Sequence, residues 1–480
     1  MGFGRSLYFS GLSSVSKVVI QFGLSIFVAR VLTPEELGSF GVALAASAFL
    51  RAFESAGINN FVASHKELDK PLLRTVFSVN TLLNVAIGLL IWAIAAPMAR
   101  FYASPAIETI LELTALGIAL NTHVPLMRGL LRRDMRFKAL MGLDLGLMAI
   151  NGATIIIGVT YGLGPIALAL ALVVERLASI LFGVLAFGRS IPMLPRLRDA
   201  KIVLNYGLSL STATFISIVG SHSNNFILGK ILGLAPAAQF DRGYTLPRLM
   251  AQVALMSFHN VLVPEVARQA KAGNPCAPIL QDVTRLYTMV LWPAGAVLAI
   301  LAPEVVLTLF GDQWRLAADI SPYFVIFGLI TSPVNMACSA LVALGHGKAL
   351  IKNQLAEQGS KILVFMSALF VDVRTLPLLL VIPTVLYVAT ALGQLNALGL
   401  ISPKAFGTAV LRPLRITAIC ALPALLADIF LAGEGYLTLI ELGGVGLVSV
   451  LIYGSCMLLL ERPTLTKALE AAGLTRTSNQ

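Results

Sequence analysis

The sequence predicts an all-α, polytopic membrane protein, and three observations carry that prediction. Of 480 residues, 57% are hydrophobic and only 12% are charged, with a mean hydropathy of +0.85; soluble domains are about one quarter charged. Apolar runs of spanning length recur from one end of the chain to the other, each long enough for a helix that crosses ~30 Å of hydrocarbon. The short alternating segments of a membrane β-barrel are missing from the sequence.

Hydropathy places about fourteen helices of ~20 residues. They lie near 11–32, 37–57, 76–97, 107–127, 140–160, 165–187, 206–229, 238–262, 286–310, 320–344, 354–371, 377–400, 412–431 and 438–460. Pro34, Pro71, Pro105, Pro165 and Pro236 fall at or near the turns. Pro247, Pro293, Pro383 and Pro423 fall inside apolar runs and are expected to kink their helices, since each removes a backbone hydrogen bond.

The loops alternate in charge. Arg128, Arg132, Arg133, Arg136 and Lys138 crowd the fourth, and Arg196, Arg198 and Lys201 the sixth, whereas the odd loops offer Arg30, Arg100, Lys230, Arg315 and Arg374. Basic residues number about twenty in the even loops against about five in the odd ones, which predicts that both termini are cytoplasmic. The net charge of +11 therefore reads as membrane orientation and attraction to anionic headgroups, not as nucleic-acid binding. Cys276, Cys338, Cys420 and Cys456 lie far apart, a spacing that implies neither a disulfide framework nor a zinc site.

An internal repeat supplies the domain organisation. Arg30-Val31-Leu32 followed by Phe40 recurs as Lys230-Ile231-Leu232 followed by Phe240, each copy a helix, a short turn and a second helix. Two homologous six-helix bundles, 1–200 and 201–403, are expected, related by an axis normal to the membrane. Residues 404–480 add two helices and a tail.

No Gly-x-x-x-x-Gly-Lys-Ser/Thr, His-Glu-x-x-His, Cys-x-x-Cys or Gly-x-Ser-x-Gly signature occurs. The chain is thus expected to be no enzyme, to need no cofactor, and to draw any transport cycle from an ion or substrate gradient. A polysaccharide polymerase or ligase would carry a long outer loop, and the stretch around 309–319 is too short for one. Ionisable residues within spans mark functional sites by default, with a local ion pair as the alternative. Arg51 and Glu54 are three apart on one face, and Glu357 and Lys361 have i,i+4 spacing, so both couples can pair. Glu175 and Arg176 are adjacent and do not share a face, so at least one needs a partner elsewhere. Asp241 and Arg242 form a second adjacent couple. Asn80, Asn84, Asn121, His123 and Asn151 read as interhelical hydrogen-bonding groups, and Gly142 and Gly146 as a close helix contact.

One stretch carries a family resemblance. Asn224-Asn225 before Phe226 is followed by Gly229-Lys230-Ile231-Leu232-Gly233, Phe240-Asp241-Arg242-Gly243-Tyr244, Leu246-Pro247 and Leu262-Val263-Pro264-Glu265. With Val28-Ala29-Arg30-Val31-Leu32-Thr33-Pro34-Glu35-Glu36-Leu37-Gly38 in the first hairpin, it resembles the polysaccharide-transport (Wzx-type) lipid-linked oligosaccharide flippases. These belong to the multidrug/oligosaccharidyl-lipid/polysaccharide exporter superfamily. The resemblance spans roughly the first three hundred residues. It implies translocation of an undecaprenyl-diphosphate-linked oligosaccharide across the bacterial inner membrane for exopolysaccharide, capsule or lipopolysaccharide O-antigen. Alternating access between two bundles, coupled to H+ or Na+, would drive it, with a polymerase and a chain-length regulator as partners. A diphosphate calls for guanidinium groups that bind two oxygens at once, which points to Arg30, Arg51 and Arg242. Asn224 and Asn225 would meet the sugars, and Asp241, Glu54 and Glu175 would couple the ion. A drug/cation antiporter of the same superfamily is the rival, normally with about twelve helices.

Overall fold

A computed structural model describes residues 3–51, 61–62, 69–187, 196–198, 200–431 and 439–460. The regular elements among the described residues are all helical, as composition predicts. The chain divides into two compact units, Met1–Ala238 and Gln239–Gln480.

The first unit holds α1 (Phe3–Val31), α2 (Pro34–Arg51), α3 (Lys70–Tyr102), α4 (Pro105–Ala119), α5 (Val124–Arg133), α6 (Phe137–Thr160), α7 (Ile166–Phe187), α8 (Ala200–Ile231) and the start of α9 (Leu234–Gly243). Helix starts follow local chemistry. The Glu36 carboxylate accepts from the Thr33 backbone N–H at 2.8 Å while the Thr33 hydroxyl accepts from the Glu36 N–H, a capping box that opens α2 with Pro34 at its first position. Asp69 caps α3 by accepting from the Leu72 N–H at 2.8 Å. The core follows small-residue contacts: Ile87, Ile91 and Ala95 of α3 pack with Ile107, Leu111 and Ala115 of α4. A Cβ on Gly88 would lie 2.8 Å from the Ala115 carbonyl oxygen, so those two backbones nearly touch.

The single helix expected over 107–127 is broken. α4 and α5 meet at a 42° bend, and Pro125 sits in the first turn of α5. Carbonyls released by such a break are costly inside a membrane unless protein groups satisfy them. Here Asn80 of α3 does so, donating from Nδ2 to the Asn121 and Thr122 carbonyls at 3.1 and 3.0 Å. Asn84 steadies it, donating to the Asn80 carbonyl at 2.8 Å and to its side-chain oxygen at 3.0 Å. Asn80 and Asn121 are hydrogen-bonding groups, as read, but they serve a broken span rather than two intact helices.

The helix that begins near residue 201 belongs to the first compact unit, where glycines let α2 approach α8 and the start of α9 closely. A Cβ on Gly38 would fall 2.1 Å from the Leu234 carbonyl oxygen, and one on Gly229 would fall 2.8 Å from Val42. Tyr102 adds a hydrogen bond from its hydroxyl to the Phe226 carbonyl at 2.6 Å. Gly233, at φ +99°, supplies the left-handed turn from α8 into α9.

The second unit holds the rest of α9, then α10 (Thr245–Lys271), α11 (Ala277–Phe310), α12 (Arg315–Ala343), α13 (Gly347–Met366), α14 (Val381–Ala397), α15 (Pro403–Leu431) and α16 (Leu439–Leu460). The helix expected over 238–262 is interrupted at Tyr244. Pro247 and Pro383 stand in the first turns of α10 and α14, where a missing N–H costs nothing, so neither makes the expected mid-helix kink. Pro293 and Pro423 do lie inside helices. So does Pro333, which cannot donate to the Leu329 carbonyl four residues back. The Trp292 indole of α11 donates to that carbonyl instead, at 3.0 Å, and the Ser332 hydroxyl does so at 2.8 Å.

Among the described residues seven helices are long and apolar enough to cross a membrane, or eight if α4 and α5 form one span. The chain is a multi-span helical membrane protein.

Candidate functional site

In an apolar bundle, the informative groups are the charges. In the first unit they converge on Asp144, two turns into α6 and 6% exposed. Lys17 of α1 forms an ion pair with it, and Arg128 of α5 donates to its second oxygen at 2.8 Å. Two cations thus flank one carboxylate. Sequence reasoning missed Lys17 and Asp144 and counted Arg128 only as a loop cation. The available signal was that each of the first two is an isolated charge within an apolar run.

Glu175 and Arg176 of α7 pair with each other, at 3.0 Å and each 15% exposed. Adjacent residues lie about 100° apart around a helix, yet the long guanidinium arm bridges that angle. The outside partner appears as well: Asn151 of α6 donates to the other Glu175 oxygen at 3.0 Å.

The expected diphosphate residues of this unit are spread out. Arg30 is exposed in the last turn of α1, and Arg51 is half-buried at the end of α2. A helix rises 1.5 Å per residue, so roughly 25 Å of α2 separates them and they cannot grip one diphosphate together. Glu54 and its expected pairing with Arg51 lie outside the described residues. Asn224 and Asn225 are both buried on α8, with Asn225 against Gly41 of α2. Lys230, the repeat counterpart of Arg30, donates to the Phe101 carbonyl at 2.7 Å and lies 4.3 Å from the centre of that ring. It closes the C-terminal end of α3.

In the second unit, Asp241 and Arg242 each also reach partners beyond the couple. Asp241 at the end of α9 pairs with Arg248 of α10 at 3.1 Å, across the break at Tyr244. The Arg242 guanidinium stands 4.8 Å from the Phe310 ring centre and 5.0 Å from that of Trp314, a cation held against aromatic faces. Close packing supports this arrangement. Tyr244 stacks on Phe324 with centroids 3.9 Å apart, and a Cβ on Gly243 would come 2.9 Å from Phe324 and 3.0 Å from Ile320. On α13, Glu357 and Lys361 pair at 2.5 Å, as their spacing predicts. Tyr387 of α14 donates to the Asn335 side-chain oxygen.

Each unit therefore carries an ionic group with two cations to one carboxylate, set among apolar helices: Lys17 and Arg128 about Asp144, and Arg242 and Arg248 beside Asp241. Such groups attract an anion.

The profile of the polysaccharide biosynthesis protein family matches residues 27–319. The chain belongs to that family. It is 25% identical over 354 residues to the succinoglycan biosynthesis transport protein ExoT of Rhizobium meliloti (strain 1021), covering 72% of this chain and 70% of that one. The lipopolysaccharide biosynthesis protein WzxC of Escherichia coli (strain K12) is 22% identical over 339 residues, covering 69% and 68%. Among solved structures, the lipid II flippase MurJ in its inward closed conformation superposes with a TM-score of 0.73 at 14% identity, covering 94% of this chain and 98% of that one. That likeness establishes a shared fold. Family, fold and relatives together bear out the Wzx-type resemblance.

Proposed function

We propose that this family member flips a polyprenyl-diphosphate-linked oligosaccharide from the inner to the outer leaflet of the bacterial inner membrane. The cation excess of the two ionic groups carries this reading. Lys17 and Arg128 about Asp144, like Arg242 and Arg248 beside Asp241, leave positive charge for an anionic headgroup. The Asp144, Glu175, Asp241 and Glu357 carboxylates each hold a Lys or Arg side chain.

In this scheme the fourteen helices form two pseudo-symmetric bundles, 1–200 and 201–403, that alternate access, with both termini cytoplasmic. Arg51 then stands at the cytoplasmic end of α2 and Arg30 at its outer end, and the diphosphate meets them in turn. Arg242 receives it between those stages, with Asn224 and Asn225 toward the sugars. Asp241, 36% exposed beside Arg248, couples the cycle: when the diphosphate engages the neighbouring cations, the carboxylate is released to take H+ or Na+. Glu175 and Glu54 are the secondary coupling candidates. A polymerase and a chain-length regulator would act on the product outside.

The test uses spheroplasts that make the lipid-linked glycan, scored with an impermeant lectin for glycan reaching the outer leaflet. Depletion of this protein is expected to keep the glycan inside, and restored wild-type chain to release it. Glycan that reaches the surface at an undiminished rate without the chain would overturn the proposal.

A further inference from the structure

The Gly142–Gly146 spacing on α6 is the small-residue pattern of a close helix contact, yet among the described residues nothing packs on it. A Cβ at either position would meet nothing within 4 Å. The two glycines instead floor an open groove of about 260 Å³ on the first unit. Met127 and Leu131 of α5, Leu143 of α6 and Phe182 of α7 wall it, and Arg136 stands at its lip. The expected helix contact is thus replaced by a slot whose bare backbone floor is as smooth as a protein surface becomes.

The groove's two ends differ in chemistry. Its body is hydrocarbon and glycine. Arg136, the cation that lines the groove, lies in the α5–α6 turn, and Arg132, Arg133 and Lys138 neighbour it in sequence with a single acid, Asp134. An apolar slot ending at clustered guanidinium groups matches an amphiphile with one hydrocarbon chain in the slot and an anionic phosphate at the lip. Arg136 stands exposed in that turn, as does Arg132 at the end of α5. A carrier diphosphate that must cross the membrane needs cations along the spans, such as those about Asp144. An exposed basic turn fits a lipid that stays in its leaflet.

We infer that this groove is a binding site for an anionic phospholipid of the phosphatidylglycerol class, with an acyl chain over Gly142 and Gly146 and the phosphate on Arg136. Occupancy would fill the space between α5, α6 and α7. It would also brace Met127, which neighbours Arg128 in the ionic group of Asp144.

The site can be read directly on the purified full-length protein by native mass spectrometry during titration with phosphatidylglycerol or the zwitterionic phosphatidylethanolamine. Wild-type protein is expected to prefer phosphatidylglycerol. Arg136→Gln removes one surface cation and should weaken that lipid about fivefold while leaving phosphatidylethanolamine unchanged. Gly142→Leu fills the slot, displaces several methylenes of the chain and should weaken phosphatidylglycerol by about tenfold. Gly393→Leu, an equally unobstructed helical glycine on α14, should bind as wild type does. Arg136 and Gly142 are both exposed, and either variant alone decides the outcome if the other does not fold. Equal binding of the two lipids, or binding unchanged in Arg136→Gln and Gly142→Leu, overturns the inference. Displacement of phosphatidylglycerol by equimolar undecaprenyl phosphate from wild type but not from Gly142→Leu would also overturn it, by assigning the groove to the carrier lipid. The result does not depend on whether glycan flipping is observed.

Discussion

Asp144 illustrates what a single residue can do in an apolar bundle. Its carboxylate joins α1, α5 and α6 through Lys17 and Arg128. Removing one partner of a buried ion pair costs roughly 3–5 kcal/mol, and less here because both cations are about one-third exposed. Asp144→Asn is therefore expected to lower the unfolding temperature of solubilised protein and its abundance in membranes. Adding Lys17→Met should recover part of the loss, because one stranded cation is then gone; a double-mutant cycle on thermal stability measures that coupling. Arg242 differs in kind. Its aromatic neighbours stabilise any cation, by about 2 kcal/mol when desolvated, so Arg242→Lys should fold normally. Only bidentate phosphate binding is lost, and glycan export should fall about tenfold or more at unchanged protein level. Asp241→Asn separates coupling from packing: normal abundance and carrier binding with lost gradient dependence supports the switch. Unchanged gradient dependence assigns coupling to Glu175 or Glu54. The charges themselves were legible in the sequence as interruptions of apolar runs. Their partners were not, because Lys17 and Asp144 are 127 residues apart.

At the scale of the helix, the recurrent theme is a backbone group freed in one element and satisfied from another. Asn80 closes the α4–α5 break, and Trp292 takes the Leu329 carbonyl that Pro333 leaves open. Asn80→Ala would leave two carbonyls unbonded, at about 1–3 kcal/mol each. It is expected to destabilise the first unit far more than Asn→Ala at an exposed site, and hydrogen exchange should show the loss concentrated around residues 119–124. Trp292→Phe keeps the ring and removes the donor; a loss of about 1 kcal/mol or less is expected, since Ser332 also serves that carbonyl. Hydropathy found the helical, multi-span class because burial in lipid demands long apolar runs. It missed the breaks at 120–123 and Tyr244, since an apolar run reads alike whether one helix or two occupy it. Proline position was equally ambiguous: Pro247 and Pro383 start helices and Pro293 lies within one, though all four prolines first considered sit in similar apolar surroundings.

For the molecule as a whole, the loop charges predict orientation, and reporter fusions test it. A reporter active only outside the cytoplasm should be silent after Lys138 or Arg198 and active after Gly162 or Asp312; the opposite pattern would reverse the topology and the direction assigned to Arg51 and Arg30. Composition alone determined that the chain lives in a membrane and is helical, because lipid penalises charge and open backbone so heavily that the solution is written into every span. Residues 27–319 likewise carried the family in their order and spacing. Tertiary structure was needed for everything that depends on which helix meets which. It decided that α2 meets α9 at Gly38 and α8 at Gly229, that Asp241 reaches Arg248 and Arg242 reaches Phe310 and Trp314, and that Gly142 and Gly146 floor a groove. Hydropathy records how each residue meets solvent or lipid. The pairings depend on side-chain shape at contacts between segments far apart in the chain, which no local pattern contains.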